Sequence, residues 1–233
     1  MELFAKHLTA VAWDDSILGV VVTGEGKAFC AGGDLRWALA HRGGPAIAFH
    51  ELSAQYHQAI MEIRRMRKPV IAAINGVAAG GGFSLAMACD LRVMAKSAVM
   101  KQAYTSAGLC IDGGGTYSLP RLVGLARAME IVAFDKPISS EHALAWGLAT
   151  KLTEDGRALE ESMGMARELT QSSVNSFGWC KELLMDSFNT AFEAQLERER
   201  LGLSLCASHA DGREGLQAFS EKRTPAFNPR PSN

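Results

Sequence analysis

The chain has 233 residues, of which 48% are hydrophobic, and this is enough to bury the core of one sizeable domain. Its 24 basic and 25 acidic residues leave a formal net charge of −1, which argues against nonspecific binding of nucleic acid through bulk charge. No apolar run reaches the length that spans a bilayer, and the first residues lack the long apolar core of a signal peptide. We therefore expect neither a nucleic-acid partner nor a membrane partner.

Five cysteines are scattered along the chain, at positions 30, 89, 110, 180 and 206. None of them belongs to a CxxC pair or to a Cys/His cluster with the spacing of a metal site. The pattern is typical of reduced thiols and predicts a cytoplasmic protein without a bound metal. Cys30 precedes a glycine pair, but no histidine lies near it in sequence, so we expect a packed thiol there rather than a nucleophile.

The chain opens with a predicted amphipathic helix, because residues 2–13 place their apolar side chains at helical spacing. The apolar run 17–24 then predicts a strand, which is followed after a short loop by the glycine pair 32–33. We expect residues 36–45 to form a loop and residues 47–66 to form a helix with one apolar stripe.

Four cations, Arg64, Arg65, Arg67 and Lys68, crowd the end of that predicted helix. Positive charge there is stabilised by the negative end of the helix dipole. We expect a solvated cap rather than a site for nucleic acid.

The stretch from Lys68 to Thr116 organises the rest of the chain. The β-branched run 69–74 is too short for a globular helix and ends in the turn pair Asn75-Gly76, so it predicts a buried strand. A glycine triplet at 80–82 then precedes a run of small and unbranched residues that suits a tightly packed helix. Glycines at a helix start allow close approach to backbone N–H groups that have no partner inside the helix. An isolated triplet also fits mere close packing of a helix on a strand.

Two predicted strands thus end in glycine loops, one at residues 32–33 and one at residues 80–82. If these strands are neighbours in a parallel sheet, both loops lie at its carboxyl edge, where ligands usually bind. One N–H group from each loop could then point at the same oxygen.

The chain resembles the enoyl-CoA hydratase/isomerase (crotonase) superfamily in several segments taken in family order. They are AFCAGGDL (28–35), KPVIAAINGVAAGGGFSLAMACDLRVMA (68–95), LPRLVGLARAME (119–130), SSEHALAWGLATKL (139–152) and GREGLQAFSEKRTPAF (212–227). The resemblance implies an α/β fold, the crotonase-like (ClpP/crotonase) spiral of βαβ units, followed by a C-terminal helical region. Family members usually begin with a pair of strands and an Arg-Pro…Asn-Ala-Leu segment that helps hold CoA. This chain opens in a helix, so we expect those N-terminal strands to be missing from it.

We expect two regions, an α/β core over 1–153 and a C-terminal helical trimerisation region over 154–233. In the core, we predict a strand at 91–95 and helices at 120–134, starting with Pro120, and at 139–146. The second region is predicted to be helical, with interruptions near 172 and 211, and to carry more apolar surface than one domain covers. The resemblance implies a homotrimer, often paired into a hexamer.

The resemblance also implies an acyl-CoA substrate, with coenzyme A as part of the thioester and no prosthetic group. The N–H groups of Gly33 and Gly81 would form the oxyanion hole. The positions that match CoA contacts of the family are Ala31, Phe219, which could stack on the nucleotide, and Lys222, which could meet a phosphate.

The reaction depends on which residues stand at the catalytic places. Hydratases of the superfamily carry two glutamates, and this sequence has Ser84 and Tyr104 at those positions, neither of which is a carboxylate base near neutral pH. Asp112 matches the catalytic aspartate of the isomerases and of 4-chlorobenzoyl-CoA dehalogenase in the superfamily. It is also placed to be the N-cap of the following helix. His57 matches the histidine base of that dehalogenase, although a lone helical histidine is more often a packed residue.

We therefore expect double-bond isomerisation of an enoyl-CoA, with Asp112 as the proton shuttle. One alternative is a 4-halobenzoyl-CoA dehalogenase-like hydrolase, in which Asp112 is the nucleophile, His57 is the base and Tyr104 stands where the dehalogenase has tryptophan. The other is a noncatalytic acyl-CoA-binding protein, which needs the oxyanion hole but no proton-transfer group.

Overall fold

A computed structural model describes residues 2–229, which form strands alternating with helices and then a run of helices. The helices are α1 (Glu2–Trp13), α2 (Leu35–Ala40), α3 (Gly44–Arg65), α4 (Gly81–Ala88), α5 (Gly115–Phe134), α6 (Ser140–Ala145), α7 (Ala158–Leu169), α8 (Val174–Asp186), α9 (Phe192–Ser208) and α10 (Ala210–Glu221). The strands are β1 (Val20–Thr23), β2 (Ala28–Cys30), β3 (Val70–Ile74), β4 (Val77–Ala79), β5 (Leu91–Ala95), β6 (Val99–Lys101), β7 (Ile138–Ser139) and β8 (Lys151–Thr153).

The strands form two four-stranded sheets. The first has the order β1-β3-β5-β8 with all its pairs parallel, and the second has the order β2-β4-β6-β7 with only the β6–β7 pair antiparallel. Every residue of β3 is buried, which is why its sequence is continuously apolar instead of alternating. The two predicted strands are parallel neighbours, because β1 pairs with β3, and the short strands β2 and β4 that lead directly into the glycine loops also pair in parallel.

The chain steps from the first sheet to the second through short turns, so that β1 with β2, β3 with β4 and β5 with β6 form successive levels of a spiral. Asn75 joins two of these levels: its amide donates to the Gly26 carbonyl at 3.0 Å, and its Oδ1 accepts from the Gly24 N–H at 3.2 Å. A Cβ on Gly76 would lie 2.1 Å from the Lys27 carbonyl oxygen, so only glycine fits between the levels.

The structure corrects several predicted element boundaries. Part of the expected loop 36–45 is the helix α2, because the Asp34 side chain caps it by accepting from the N–H groups of Arg36 and Trp37. The strands β2, β4, β6, β7 and β8 were not predicted, since each is only two or three residues long. The helix α5 begins at Gly115 rather than at Pro120, and it is broken at Gly124, whose φ of 75° and ψ of 160° are not helical.

The C-terminal helices divide into one that covers the core and others that extend from it. The helix α7 packs on β1, β3 and β5, whereas α9 packs on α8 and α10 packs on α9. The interruptions of this region fall at residues 170–173, 187–191 and 209, so the break expected near residue 211 lies at His209 instead. The division of the chain at residue 153 stays a prediction.

Lys68 is not part of a solvated cap. It is 8% exposed, and its Nζ donates to the carbonyl oxygens of Val11 at 2.7 Å and Asp14 at 2.6 Å. Burial lowers the pKa of its ammonium group from the ordinary value. Lys68 thereby ties the end of α1 to the start of β3, whereas Arg67 stacks on Trp179 at the surface, as a cap residue can. Within residues 2–229, no helix combines the length and the apolar character needed to cross a membrane.

Candidate active site

A pocket of about 480 Å³ lies where the two glycine loops meet α2, α3 and the loop before α5. It is lined by Phe4, Val22, Thr23, Phe29, Cys30, Gly32, Gly33, Asp34, Trp37, Phe49, Leu52, Ser53, Tyr56, Gly81, Leu85, Tyr104 and Asp112. The volume is within the range of small-molecule sites, and the lining is mostly apolar with a few polar groups, as such sites usually are.

The two glycine loops touch each other at the pocket wall. Gly32 has a φ of +96°, and a Cβ there would lie 3.0 Å from the Ala79 carbonyl oxygen and 3.2 Å from the Gly81 nitrogen. The N–H groups of Gly33 and Gly81 donate to no backbone or side-chain acceptor in the range 2–229. Gly81 is also the first residue of α4, where the helix dipole favours negative charge. The wall therefore offers free donors suited to an oxyanion.

Asp112 presents its carboxylate to the pocket and holds it with two hydroxyl groups. The Tyr104 hydroxyl donates to Oδ1 at 2.5 Å, and the Ser53 hydroxyl donates to Oδ2 at 2.9 Å. The N-cap of α5 is Gly114 and not Asp112, whose part in that turn is a backbone carbonyl that accepts from the Gly115 N–H. The capping interpretation of the Asp112 side chain is therefore wrong.

Ser53 is a site residue that the sequence did not identify. It lies on α3 one turn before His57, and both side chains face Asp112. The i, i+4 spacing of two polar residues on a helix with an apolar stripe is the signal that was present, but serines on helix surfaces are too common for it to stand out.

Tyr104 is a hydrogen-bond donor and not a base. Burial, and then its hydrogen bond to the Asp112 carboxylate, raise the pKa of the phenol well above its ordinary value of 10. The hydroxyl therefore keeps its proton throughout the neutral range and holds one oxygen of Asp112.

Tyr56 connects the glycine loop at 80–82 to the loop that carries Asp112. Its hydroxyl donates to the Gly81 carbonyl oxygen, and burial raises the pKa of this phenol far above its usual range. Its ring packs so closely on Gly113 that a Cβ there would lie 2.3 Å from the Tyr56 Cε1. The Tyr56 side chain thus sets the distance between Gly81 and Gly113, the residue next to Asp112.

His57 lies beside Asp112 but is not among the residues that line the pocket. Its Nε2 is 3.8 Å from Oδ2 of Asp112 and accepts a hydrogen bond of 3.2 Å from the Gly113 N–H. In this arrangement the Nε2 lone pair is already used, and the ring proton belongs on Nδ1. The ring is otherwise half exposed, since 48% of the side chain is accessible.

Ser84 is 1% exposed, and its hydroxyl has no partner among residues 2–229. It packs against the first turn of α5, where a Cβ on Gly115 would lie 2.6 Å from its Oγ. Cys30 is only half buried, and it lines the pocket instead of packing fully beneath the loop as expected.

The three positions expected to contact CoA are not brought into this pocket by a single chain. Ala31 is exposed beside the glycine loop, whereas Phe219 and Lys222 lie on and just after α10. Phe219 is 86% exposed, so its ring is available to a ligand or to another protein chain.

Comparison with known proteins agrees with this geometry. The sequence profile of the family described as Enoyl-CoA hydratase/isomerase matches residues 2–230. The chain is 35% identical over 224 residues to 1,2-epoxyphenylacetyl-CoA isomerase of Escherichia coli K12, covering 96% of this chain and 86% of that protein. It is 30% identical over 210 residues to 4-chlorobenzoyl coenzyme A dehalogenase-1 of an Arthrobacter species, and the match covers 90% of this chain and 76% of that protein.

A solved structure has the same fold. The crystal structure of an enoyl-CoA hydratase from Polaromonas sp. JS666 superposes with a TM-score of 0.91 at 38% identity, and the match covers 96% of this chain and 87% of that one. The profile match over nearly the whole chain and this superposition confirm the crotonase-like α/β fold with C-terminal helices. The chain therefore belongs to the enoyl-CoA hydratase/isomerase family of the crotonase superfamily, whose members process acyl-CoA thioesters.

Proposed function

We propose that this protein moves a double bond within an enoyl-CoA thioester, with Asp112 as the group that carries the proton. The Asp112 carboxylate removes a proton from the carbon next to the thioester carbonyl of a β,γ-unsaturated acyl group. The electrons of the broken C–H bond form an enolate, whose oxygen accepts hydrogen bonds from the N–H groups of Gly33 and Gly81. The carboxylic acid then returns the same proton to the γ-carbon, which leaves the α,β-unsaturated product and regenerates the carboxylate.

The observation that carries this proposal is the single carboxylate available for chemistry at the pocket. Asp34 also lines the pocket, but its Oδ1 accepts the N–H groups of Arg36 and Trp37 and caps α2. Serine and tyrosine stand at the positions of both hydratase glutamates. One base can remove and return a proton, whereas hydration requires a held water as well, so a single carboxylate supports isomerisation over hydration.

The supporting contacts give the other residues defined parts in this proposal. Tyr104 and Ser53 fix the two oxygens of Asp112, and Tyr56 keeps the oxyanion donor of Gly81 at a constant distance from the Asp112 loop. Such preorganisation matters because a misplacement of about 1 Å can cost about 10²-fold in rate.

Asp112→Asn tests the proposal. Asparagine keeps the shape of the side chain, and its Oδ1 can still accept one of the two hydroxyl donors while its Nδ2 donates to the oxygen of the other. It removes the base, so we expect turnover of a 3-enoyl-CoA to fall by about 10²–10⁴. Asp15→Asn on the surface is the matched control and should leave turnover unchanged. Isomerase activity of Asp112→Asn within a few-fold of the wild type would contradict the assignment.

A dehalogenase-like reaction is the second candidate, and the 3.8 Å approach of His57 to Asp112 favours it. There Asp112 would attack the ring carbon that bears the halogen, halide would leave, and a water activated by His57 would hydrolyse the aryl ester. The Gly113 N–H bound to Nε2 argues against this, because the nitrogen nearest Asp112 would first have to be released to act as a base. Release of chloride from 4-chlorobenzoyl-CoA by the wild type and not by His57→Gln would replace the isomerase proposal with this one.

A noncatalytic acyl-CoA-binding role would use the same oxyanion loops. It would leave the two hydroxyl contacts to Asp112 without a purpose in binding. Tight binding of an unreactive acyl-CoA, together with no turnover of any enoyl-, dienoyl- or aryl-CoA thioester, would identify the protein as such a module.

We also propose that the chain assembles as a trimer, or as a hexamer of two trimers, through its C-terminal helices. Large apolar side chains on α8, α9 and the turn between them are uncovered, among them Leu184 at 70%, Phe188 at 68%, Phe192 at 71% and Leu203 at 74% exposure. Apolar surface of this extent marks an interaction site. Phe219 and Lys222 would then be placed to contact the CoA nucleotide of a bound substrate. Sedimentation of a monomer at micromolar concentration would contradict the assembly.

A further inference from the structure

Aromatic side chains are concentrated around the pocket that holds Asp112. Six of its 17 lining residues are aromatic, whereas aromatic residues make up 7% of the chain. The six are Phe4, Phe29, Trp37, Phe49, Tyr56 and Tyr104. The hydroxyl groups of the two tyrosines are occupied by Gly81 and Asp112, so the aromatic lining offers mainly ring surface to a ligand.

Trp37 is the ring that the protein itself covers least well. It lies on α2, its backbone N–H is fixed by the Asp34 side chain at 3.1 Å, and 43% of the residue is exposed. His41 approaches its ring at 5.3 Å between centroids and in a tilted arrangement, which leaves much of the indole uncovered. A fixed and largely uncovered indole at the wall of a pocket is suited to stacking or edge-to-face contact with another ring.

The charges of the pocket disfavour acyl groups that carry a second carboxylate. Asp34 and Asp112 are the acidic residues that line the pocket, and no lysine or arginine of the described chain lines it. A second carboxylate on the acyl group would enter this space beside like charges and without a cation to pair with. Such burial of an unpaired charge is strongly unfavourable.

We propose that the pocket selects neutral aryl acyl groups, such as arylacetyl or aryl-substituted enoyl thioesters, over aliphatic and dicarboxylic ones. This inference rests on the proposed function for the position of the thioester, which the N–H groups of Gly33 and Gly81 hold. It goes further in naming the acyl group: a planar, uncharged ring that contacts the aromatic wall while the carbon next to the carbonyl faces Asp112.

Binding of unreactive thioesters tests the selection separately from turnover. The dissociation constants of phenylacetyl-CoA, hexanoyl-CoA and adipoyl-CoA, measured by direct titration, compare an aryl, an aliphatic and a dicarboxylic acyl group. The last two are matched in carbon number. We expect phenylacetyl-CoA to bind about threefold to tenfold more tightly than hexanoyl-CoA, with adipoyl-CoA the weakest. Equal affinities, or tightest binding of adipoyl-CoA, would overturn the inference.

Turnover of 4-phenyl-3-butenoyl-CoA against 3-hexenoyl-CoA tests the underlying reaction. Isomerisation of both with equal kcat/KM would support the reaction and refute the selection. Preferential binding of phenylacetyl-CoA without any isomerisation would support the selection and refute the reaction.

Trp37→Leu identifies the wall that makes the selection. We expect it to weaken phenylacetyl-CoA about threefold to tenfold while hexanoyl-CoA changes less than twofold, and we expect Trp37→Phe to restore most of the preference. Trp13→Leu is the matched control, because Trp13 is 83% exposed on α1 and does not line the pocket. An equal effect of Trp37→Leu on both thioesters, or no effect on either, would contradict the role of this ring.

Discussion

Removing the Tyr104 hydroxyl tests whether this residue acts through Asp112 or directly on the substrate. Tyr104→Phe keeps the ring in the pocket wall and deletes only the 2.5 Å hydrogen bond to Oδ1. Hydrogen bonds to charged groups contribute about 1.5–3 kcal/mol. Asp112 keeps the Ser53 hydroxyl at 2.9 Å, and 30% of its side chain is accessible to water, so we take the lower end of that range.

The expected result is a fall in kcat of about tenfold, since about 1.4 kcal/mol corresponds to a factor of ten, with KM changed less than twofold. The assay is a double-mutant cycle with Asp112→Asn, in which kcat for a 3-enoyl-CoA is measured for the wild type, both single variants and the double variant. If Tyr104 acts only by holding Asp112, its removal should change the Asp112→Asn variant by less than twofold. The same tenfold loss in both backgrounds would refute this reasoning and would assign Tyr104 a direct part in catalysis.

Two further predictions concern the loops and the C-terminal helix. Gly82→Ala should prevent stable folding, because the new Cβ would lie 1.9 Å from the Cys30 carbonyl oxygen. Gly81→Ala should fold, since its Cβ would meet its nearest neighbours at 3.7 Å. Thermal unfolding of the two variants checks this, and equal melting temperatures would contradict it. Hydrogen bonds from Arg223 hold the pKa of Glu214 at about 2, below the ordinary 4.5, so the folded protein binds fewer protons there than the unfolded chain. The stabilisation of the fold by Glu214 and Arg223 is therefore fully present above pH 4.5 and is lost as the pH falls towards 2. The Tm difference between the wild type and Glu214→Gln should shrink over that window. A constant difference would count against the ion pair of Glu214 with Arg223.

The sequence was sufficient to predict two apolar strands followed by glycine loops, and to predict that the loops meet if those strands are parallel neighbours. That condition could not be decided from the sequence; the structure meets it through the parallel pairs β1 with β3 and β2 with β4, of which β2 and β4 were too short to be predicted. The position of Asp112 was also predictable, but its role as a possible cap was not decidable, since the glycines at 113–115 allow the helix to begin at several residues.

Ser53, Tyr56 and Lys68 were beyond prediction for a different physical reason. Their roles depend on which face of a helix or end of a strand meets a partner more than 20 residues away, as in the contacts of Ser53 with Asp112 and of Lys68 with Val11. Hydrophobic periodicity gives the direction of an apolar stripe but not the partner of a polar side chain beside it. Only the packed structure supplies that information.

The buried ammonium of Lys68 makes it a chemical reporter of how often the first helix opens. Amine-reactive reagents modify an unprotonated, accessible nitrogen, and the Lys68 Nζ is instead bonded to the carbonyl oxygens of Val11 and Asp14. Lys6, by contrast, lies on the outer surface of α1, where 70% of its side chain is exposed. The rate at which Lys68 is labelled relative to Lys6, followed by mass spectrometry, therefore measures the free energy of local opening of α1 in the native protein. Ligands that fill the pocket beside Phe4, on the same helix, should slow that labelling without any change at Lys6.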